Sequence, residues 1–176
     1  YTVIKQPSFK GVVFFDIDDT LTTMPEEHRS DIIKHCVDKG YKIGIITASK
    51  RTPEHICYGN IPNVDISDWT CNELCQELNK DNFLFFNSLL YTNGKYNPKF
   101  PFFERDRYMY GKQKGYQMLE SIKNTSVKPW ETFLFDDNID VLAGASMVNP
   151  EGNFIHVDNN NVGKQLDTEL ICKIIV

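Results

Sequence analysis

Apolar residues along this chain gather in short runs that stop at polar or turn-forming positions, and the spacing within each run predicts its element. Val12 to Phe15 is β-branched and aromatic without a polar face, the pattern of a strand buried on both sides. It ends abruptly in the acids Asp16, Asp18 and Asp19. Thr23 to Glu26 then matches a capping box, and Ile32, Ile33, Cys36 and Val37 share one helical face before Gly40. Residues 42–46 form a second buried run that terminates at Thr47. Strand, helix and strand at this spacing predict a βαβ unit.

Residues 51–65 are irregular, broken by Pro53, Gly59 and Pro62. Ser67 or Asp68 is placed to cap a helix reaching about Lys80, with Cys71, Leu74, Cys75 and Leu78 on one face. Residues 83–91 read as a strand, and an Asn93-Gly94 turn leads into an aromatic and basic stretch at 99–108 that is too Pro-rich for a central strand. A helix is expected over 112–122, a strand over 132–135, a short helix over 140–147 and a last strand over 154–157. Leu170, Ile171, Ile174 and Ile175 predict a closing helix. The fold class expected is therefore α/β, a three-layer Rossmann-like domain with a mainly parallel sheet and helices on both faces.

Bulk properties narrow this picture. A length of 176 residues suits one domain, 1–176, with a single sizeable core. A formal net charge of -5 gives no general attraction to nucleic acid or to an anionic membrane, so a nucleic-acid partner would need a local basic patch. The apolar runs are of strand length and no secretory signal is legible, while an opening Tyr1 is compatible with a trimmed N-terminus. Five cysteines, odd in number and without zinc or disulfide spacing, point to a reducing, cytoplasmic location and to buried thiols. The four histidines are scattered and read as surface or satisfied side chains.

The acids carry the chemistry. Asp16 and Asp18 leave the C-terminal end of a strand, the end at which open α/β sheets bind ligands. Two carboxylates so close need protons or a cation, and a hard divalent ion such as Mg²⁺ is the natural partner. Taken alone, the motif reads equally as an acidic turn capped by Thr20 or Thr22. Three further segments follow in order: Ile45-Ile46-Thr47-Ala48-Ser49, Lys114-Gly115, and Phe133-Leu134-Phe135-Asp136-Asp137-Asn138-Ile139-Asp140. Together the four resemble the motifs of the haloacid dehalogenase-like (HAD) hydrolase superfamily, over residues 12 to 157.

The resemblance implies a Mg²⁺-dependent phosphomonoester hydrolase. Asp16 would be the nucleophile that becomes an aspartyl phosphate, and Asp18 the general acid and base; Asp at this second position favours phosphatases over dehalogenases. Asp16, the Asp18 carbonyl and Asp136 would hold Mg²⁺, with Asp137 and Asp140 orienting that shell and Asp137 the competing ligand. Thr47, with Ser49 nearby, would bind phosphate oxygens, and Lys114 would stabilise the transferring charge, with Lys112 the competing lysine. The resemblance is to capless members, because no stretch is long enough for a full cap. Residues 91–110 form at most an excursion at the rim. An open site suits a bulky or polymeric phosphorylated substrate, including a polynucleotide 3′-phosphate. Two rival readings use the same residue types: a phospho-accepting receiver domain and a catalytically silent binding module.

Overall fold

The structure is a computed structural model that describes residues 9–22, 26–47, 83–87, 91–92, 95–96, 106–158, 160 and 165–176. Expectations for Ser49, for the helix over 67–80 and for residues 99–105 of the aromatic and basic stretch lie outside these residues.

The chain runs β1 (Gly11–Phe15), α1 (Glu26–Asp38), β2 (Tyr41–Thr47), β3 (Phe83–Asn87), a short antiparallel pair β4 (Tyr91–Thr92) and β5 (Lys95–Tyr96), α2 (Arg107–Ile122), β6 (Thr132–Asp136), α3 (Ile139–Val148), β7 (Asn153–His156) and α4 (Thr168–Ile174). Five strands form one sheet in the order β3-β2-β1-β6-β7, and every neighbouring pair is parallel. The fold is thus α/β with an all-parallel sheet.

β1 lies at the centre, and all five of its residues are buried. Its alternate side chains enter two separate cores. Val13 and Phe15 pack with Ile32, Ile33 and Cys36 of α1 and with Ile171 of α4, whereas Val12 and Phe14 pack with Met118 and Ile122 of α2 and Leu142 and Ala145 of α3. This two-sided burial is why β1 has no polar face. Gly44 of β2 sits opposite Phe14, and a Cβ there would lie 2.1 Å from the Phe14 ring. The glycine in mid-strand therefore makes room for the aromatic ring beside it.

Two boundaries differ from the sequence pattern. α2 begins at Arg107, five residues before the apolar periodicity becomes legible, because the Asp106 carboxylate caps it by accepting from the Met109 N–H at 3.1 Å. Lys114 consequently sits in the second turn of α2 rather than at its opening. Residues 107–110 of the expected 91–110 excursion thus belong to this helix. The strand expected over 83–91 is described as two pieces, Phe83–Asn87 and Tyr91–Thr92.

Strand order positions the site. From β1 the sheet grows one way through β2 to β3 and the other way through β6 to β7. The chain therefore reverses its direction of growth between β1 and β6, and at such a switch point the carboxyl ends of two strands open a crevice. Asp16 N–H donates to Phe135 O at 3.0 Å and ties the end of β1 to β6, while Val157 N–H donates to Asp136 O at 2.8 Å and ties the end of β6 to the segment after β7.

Candidate active site

Asp16 follows β1 directly, Asp136 ends β6, Asp137 succeeds it, and Lys114 reaches them from α2. The Lys114 ammonium donates to Asp16 Oδ1 at 2.9 Å and to Asp136 Oδ2 at 2.6 Å. Lys114 is 2% exposed and Asp136 1%, so both bonds are shielded from water and from screening by salt. Asp136 is fixed at its second oxygen as well, where Oδ1 accepts from the Asn138 N–H at 3.0 Å. Asn138 in turn caps α3, its side-chain oxygen accepting from the N–H groups of Asp140 and Val141 at 2.9 and 3.2 Å. One helix terminus thereby orients the end of β6. His156 steadies the same loop at 3.0 Å from Asp137 O, and because a carbonyl only accepts, Nε2 carries the proton.

The acids leave β1 through a wide turn, Ile17–Leu21, closed by Thr22 N–H donating to Ile17 O at 3.2 Å. Asp19 has a φ of 60°, and its N–H donates to Thr22 Oγ1 at 3.1 Å. Aspartate tolerates this left-handed geometry better than most residues, which helps the chain turn sharply just after Asp18. Asp18 and Asp19 are exposed on this turn.

The electrostatics are unbalanced. Burial raises the Asp16 carboxyl well above the ordinary range; Lys114 opposes the shift, and Asp136 and Asp137 add to it. Burial also raises Asp137, again with Asp136 contributing. Burial alone would favour the neutral amine of Lys114, but the two carboxylates outweigh it and hold its pKa above the usual lysine value. One ammonium thus serves a cluster of three aspartates, whose carboxylate oxygens lie within 4.8 Å of one another and could hold a metal ion. Carboxylates this close need protons or a cation to offset their charge, and an oxygen-only donor set of this charge suits a hard divalent ion.

These side chains line a cleft of about 240 Å³ together with Asp18, Asp19, Arg107, Tyr110, Asn138 and Val141. Among the residues expected from sequence, Asp16, Asp18, Lys114, Asp136 and Asp137 meet there. Thr47 ends β2 as anticipated, but it is fully buried and is not among the described residues lining the cleft. The Lys112 ammonium instead lies over the Tyr108 ring, 5.1 Å from its centroid, so it is Lys114 that reaches the carboxylates. Asp140 is exposed at the first turn of α3, and the cleft wall includes Asn138 and Val141 on either side of it. Asn138, Asp19 and Val141 line the cleft without a role assigned from the sequence, whereas Arg107 and Tyr110 belong to the 91–110 excursion expected at its rim. The signal for Asn138 was present, since Asn before a helix is a preferred cap.

Among the described residues, no helix is long and apolar enough to cross a membrane. In comparisons with known proteins, no family model, no curated protein and no solved structure matches the chain.

Proposed function

We propose that this chain is a Mg²⁺-dependent phosphomonoester hydrolase of the HAD type, acting through an aspartyl phosphate. The observation that carries the reading is the buried Lys114 ammonium held between Asp16 and Asp136 at the switch point of a parallel sheet. In this reading Asp16 attacks phosphorus, an Asp–O–P bond forms, and the bond to the leaving oxygen breaks. Asp18, exposed at the cleft mouth, gives its proton to that oxygen. It then takes a proton from the water that cleaves the aspartyl phosphate, which releases inorganic phosphate and restores Asp16. Lys114 stabilises negative charge on the phosphoryl oxygens and holds Asp16 in one orientation. A Mg²⁺ ion bound by Asp16, Asp136 and Asp137, with the Asp18 carbonyl, would neutralise repulsion between the nucleophile and a dianionic phosphate. Thr47 and Ser49 keep the phosphate-binding role that the resemblance gives them.

The fold assignment belongs to the same proposal. Helices from two core clusters cover opposite sides of the sheet, and counted along the chain its strands are ordered 3-2-1-4-5. That order is the one of the Rossmann type, and it differs from the 2-1-3-4-5 order of receiver domains. It therefore favours the hydrolase over the phospho-accepting rival. The reading extends to a capless enzyme in the cytoplasm, open to a bulky phosphorylated substrate.

Release of inorganic phosphate from an aryl phosphate tests it. Turnover is expected with Mg²⁺, is expected to vanish in excess chelator, and is expected to be abolished by Asp16→Asn, which retains volume and removes the nucleophile. Full activity of that variant, or turnover indifferent to chelator, would overturn the proposal.

A further inference from the structure

The wall of the cleft has five carboxylates, from Asp16, Asp18, Asp19, Asp136 and Asp137, and two cations, Lys114 and Arg107. Lys114 is committed to Asp16 and Asp136. Arg107 differs in every respect: it is exposed, it opens α2, and among the described residues it has no carboxylate partner. The neighbouring Asp106 is occupied as the helix cap. Arg107 is nonetheless oriented, because its guanidinium lies over the Tyr110 ring, 5.6 Å from the centroid, and Tyr110 is itself 2% exposed. A cation stacked on a buried ring loses less freedom on engaging a ligand than one on a free side chain. A guanidinium without a carboxylate partner among the described residues, in a predominantly acidic cleft, is suited to an anion, and its planar fork matches a phosphate.

Seven residues separate Arg107 from Lys114 on one helix, so the two lie on the same face about 10 Å apart along the axis. Lys114 is buried against Asp16 and Asp136, whereas Arg107 is exposed in the same cleft, so the two cations are suited to different anionic groups. We propose that Arg107, positioned by Tyr110, is a specificity-determining residue that binds a second phosphate on the leaving group, several bonds from the phosphorus under attack. The substrate class is then a phosphomonoester with a further phosphate, either a small bisphosphate or an oligonucleotide 3′-phosphate with its adjoining phosphodiesters. This inference deepens the hydrolase reading and rests on it for the location of the reacting phosphate.

Calorimetric titration of the Asp16→Asn protein in Mg²⁺ separates the two ideas, because it measures binding without turnover. The ligands are a sugar monophosphate and the matching bisphosphate, and a nucleoside 3′-phosphate and a short oligonucleotide 3′-phosphate. The second phosphate is expected to tighten Kd by about tenfold in at least one pair, an advantage that Arg107→Ala in the same background cancels and Arg107→Lys partly restores. The pair that shows it identifies the small or the polymeric source. In the protein with Asp16 intact, Arg107→Ala is expected to lower kcat/KM about tenfold more for the doubly charged substrate than for an aryl phosphate, mainly through KM. Equal affinities within both pairs, or an advantage that survives Arg107→Ala in a variant with unchanged circular dichroism, would overturn the subsite while leaving the hydrolase standing. An Arg107-dependent advantage without turnover in the intact protein would instead overturn the hydrolase and leave the subsite.

Discussion

Asp16 is set between opposing demands. Burial and two neighbouring carboxylates disfavour its charge, while Lys114 favours it. The linkage follows directly. Asp16 and Asp137 have folded-state pKa values raised above the ordinary carboxyl value of 3.8, so the native state binds more protons than the unfolded chain from that pH upward to the raised values. Stability from these two groups therefore falls as pH rises across that window. The Lys114 contribution has the same sign in a higher window: it is fully present below the ordinary lysine value of 10.5 and is lost only above it. In chelator, the melting temperature is expected to fall as pH rises above the ordinary carboxyl value of 3.8, and Asp16→Asn is expected to flatten that slope. A slope unchanged in Asp16→Asn, read by calorimetry, would show that other groups dominate. Removing the cation has a larger effect. Lys114→Met is expected to reduce phosphate release about 10²- to 10³-fold, because nothing else among the described residues places a buried positive charge between Asp16 and Asp136. Phosphate release within a factor of two of the parent would contradict that role.

Helices α2 and α3 deliver the site as a unit. They approach so closely that a Cβ on Gly111 would lie 1.9 Å from Val141 O, and one on Gly144 would lie 2.1 Å from Tyr108 O. Gly111→Ala is expected to cost about 2–3 kcal/mol in urea unfolding, because a backbone carbonyl must yield. The same change moves the helix that positions Lys114, so turnover should fall with stability. Asn138→Ala tests the other helix. Loss of its cap is expected to cost about 1 kcal/mol, and the Asp136–Asp137 corner would lose its anchor. A rise in the Mg²⁺ concentration needed for half-maximal turnover would register that loss. Unchanged metal dependence at reduced stability would mean that the cap supports α3 alone.

Across the whole molecule, the site lies where growth of the sheet reverses direction, and its cluster of three aspartates could hold a cation. Mg²⁺ is expected to raise the melting temperature at neutral pH in proportion to ln(1 + [Mg²⁺]/Kd), and to raise it less at acidic pH, where protons compete for Asp16 and Asp137. An equal shift in Asp16→Asn would place the ion elsewhere. The sequence by itself determined much of this architecture. The apolar runs of β1, β2 and β6 are continuous because each of these strands is buried within the sheet, and each run ends at a polar residue. That local contrast alone located Asp16, Thr47 and Asp136. Position within an element was legible wherever a period or a cap recorded it. Only the tertiary structure decided which groups meet. Asp16 and Lys114 are 98 residues apart in the chain, and Lys114, preferred to Lys112 already in the sequence, reaches the carboxylates because the packing of α2 turns it inward. Arg107 and Tyr110 entered the cleft for the same reason: helical rotation is fixed by packing against α3 through Gly111 and Gly144, a contact between surfaces that no single stretch of sequence contains.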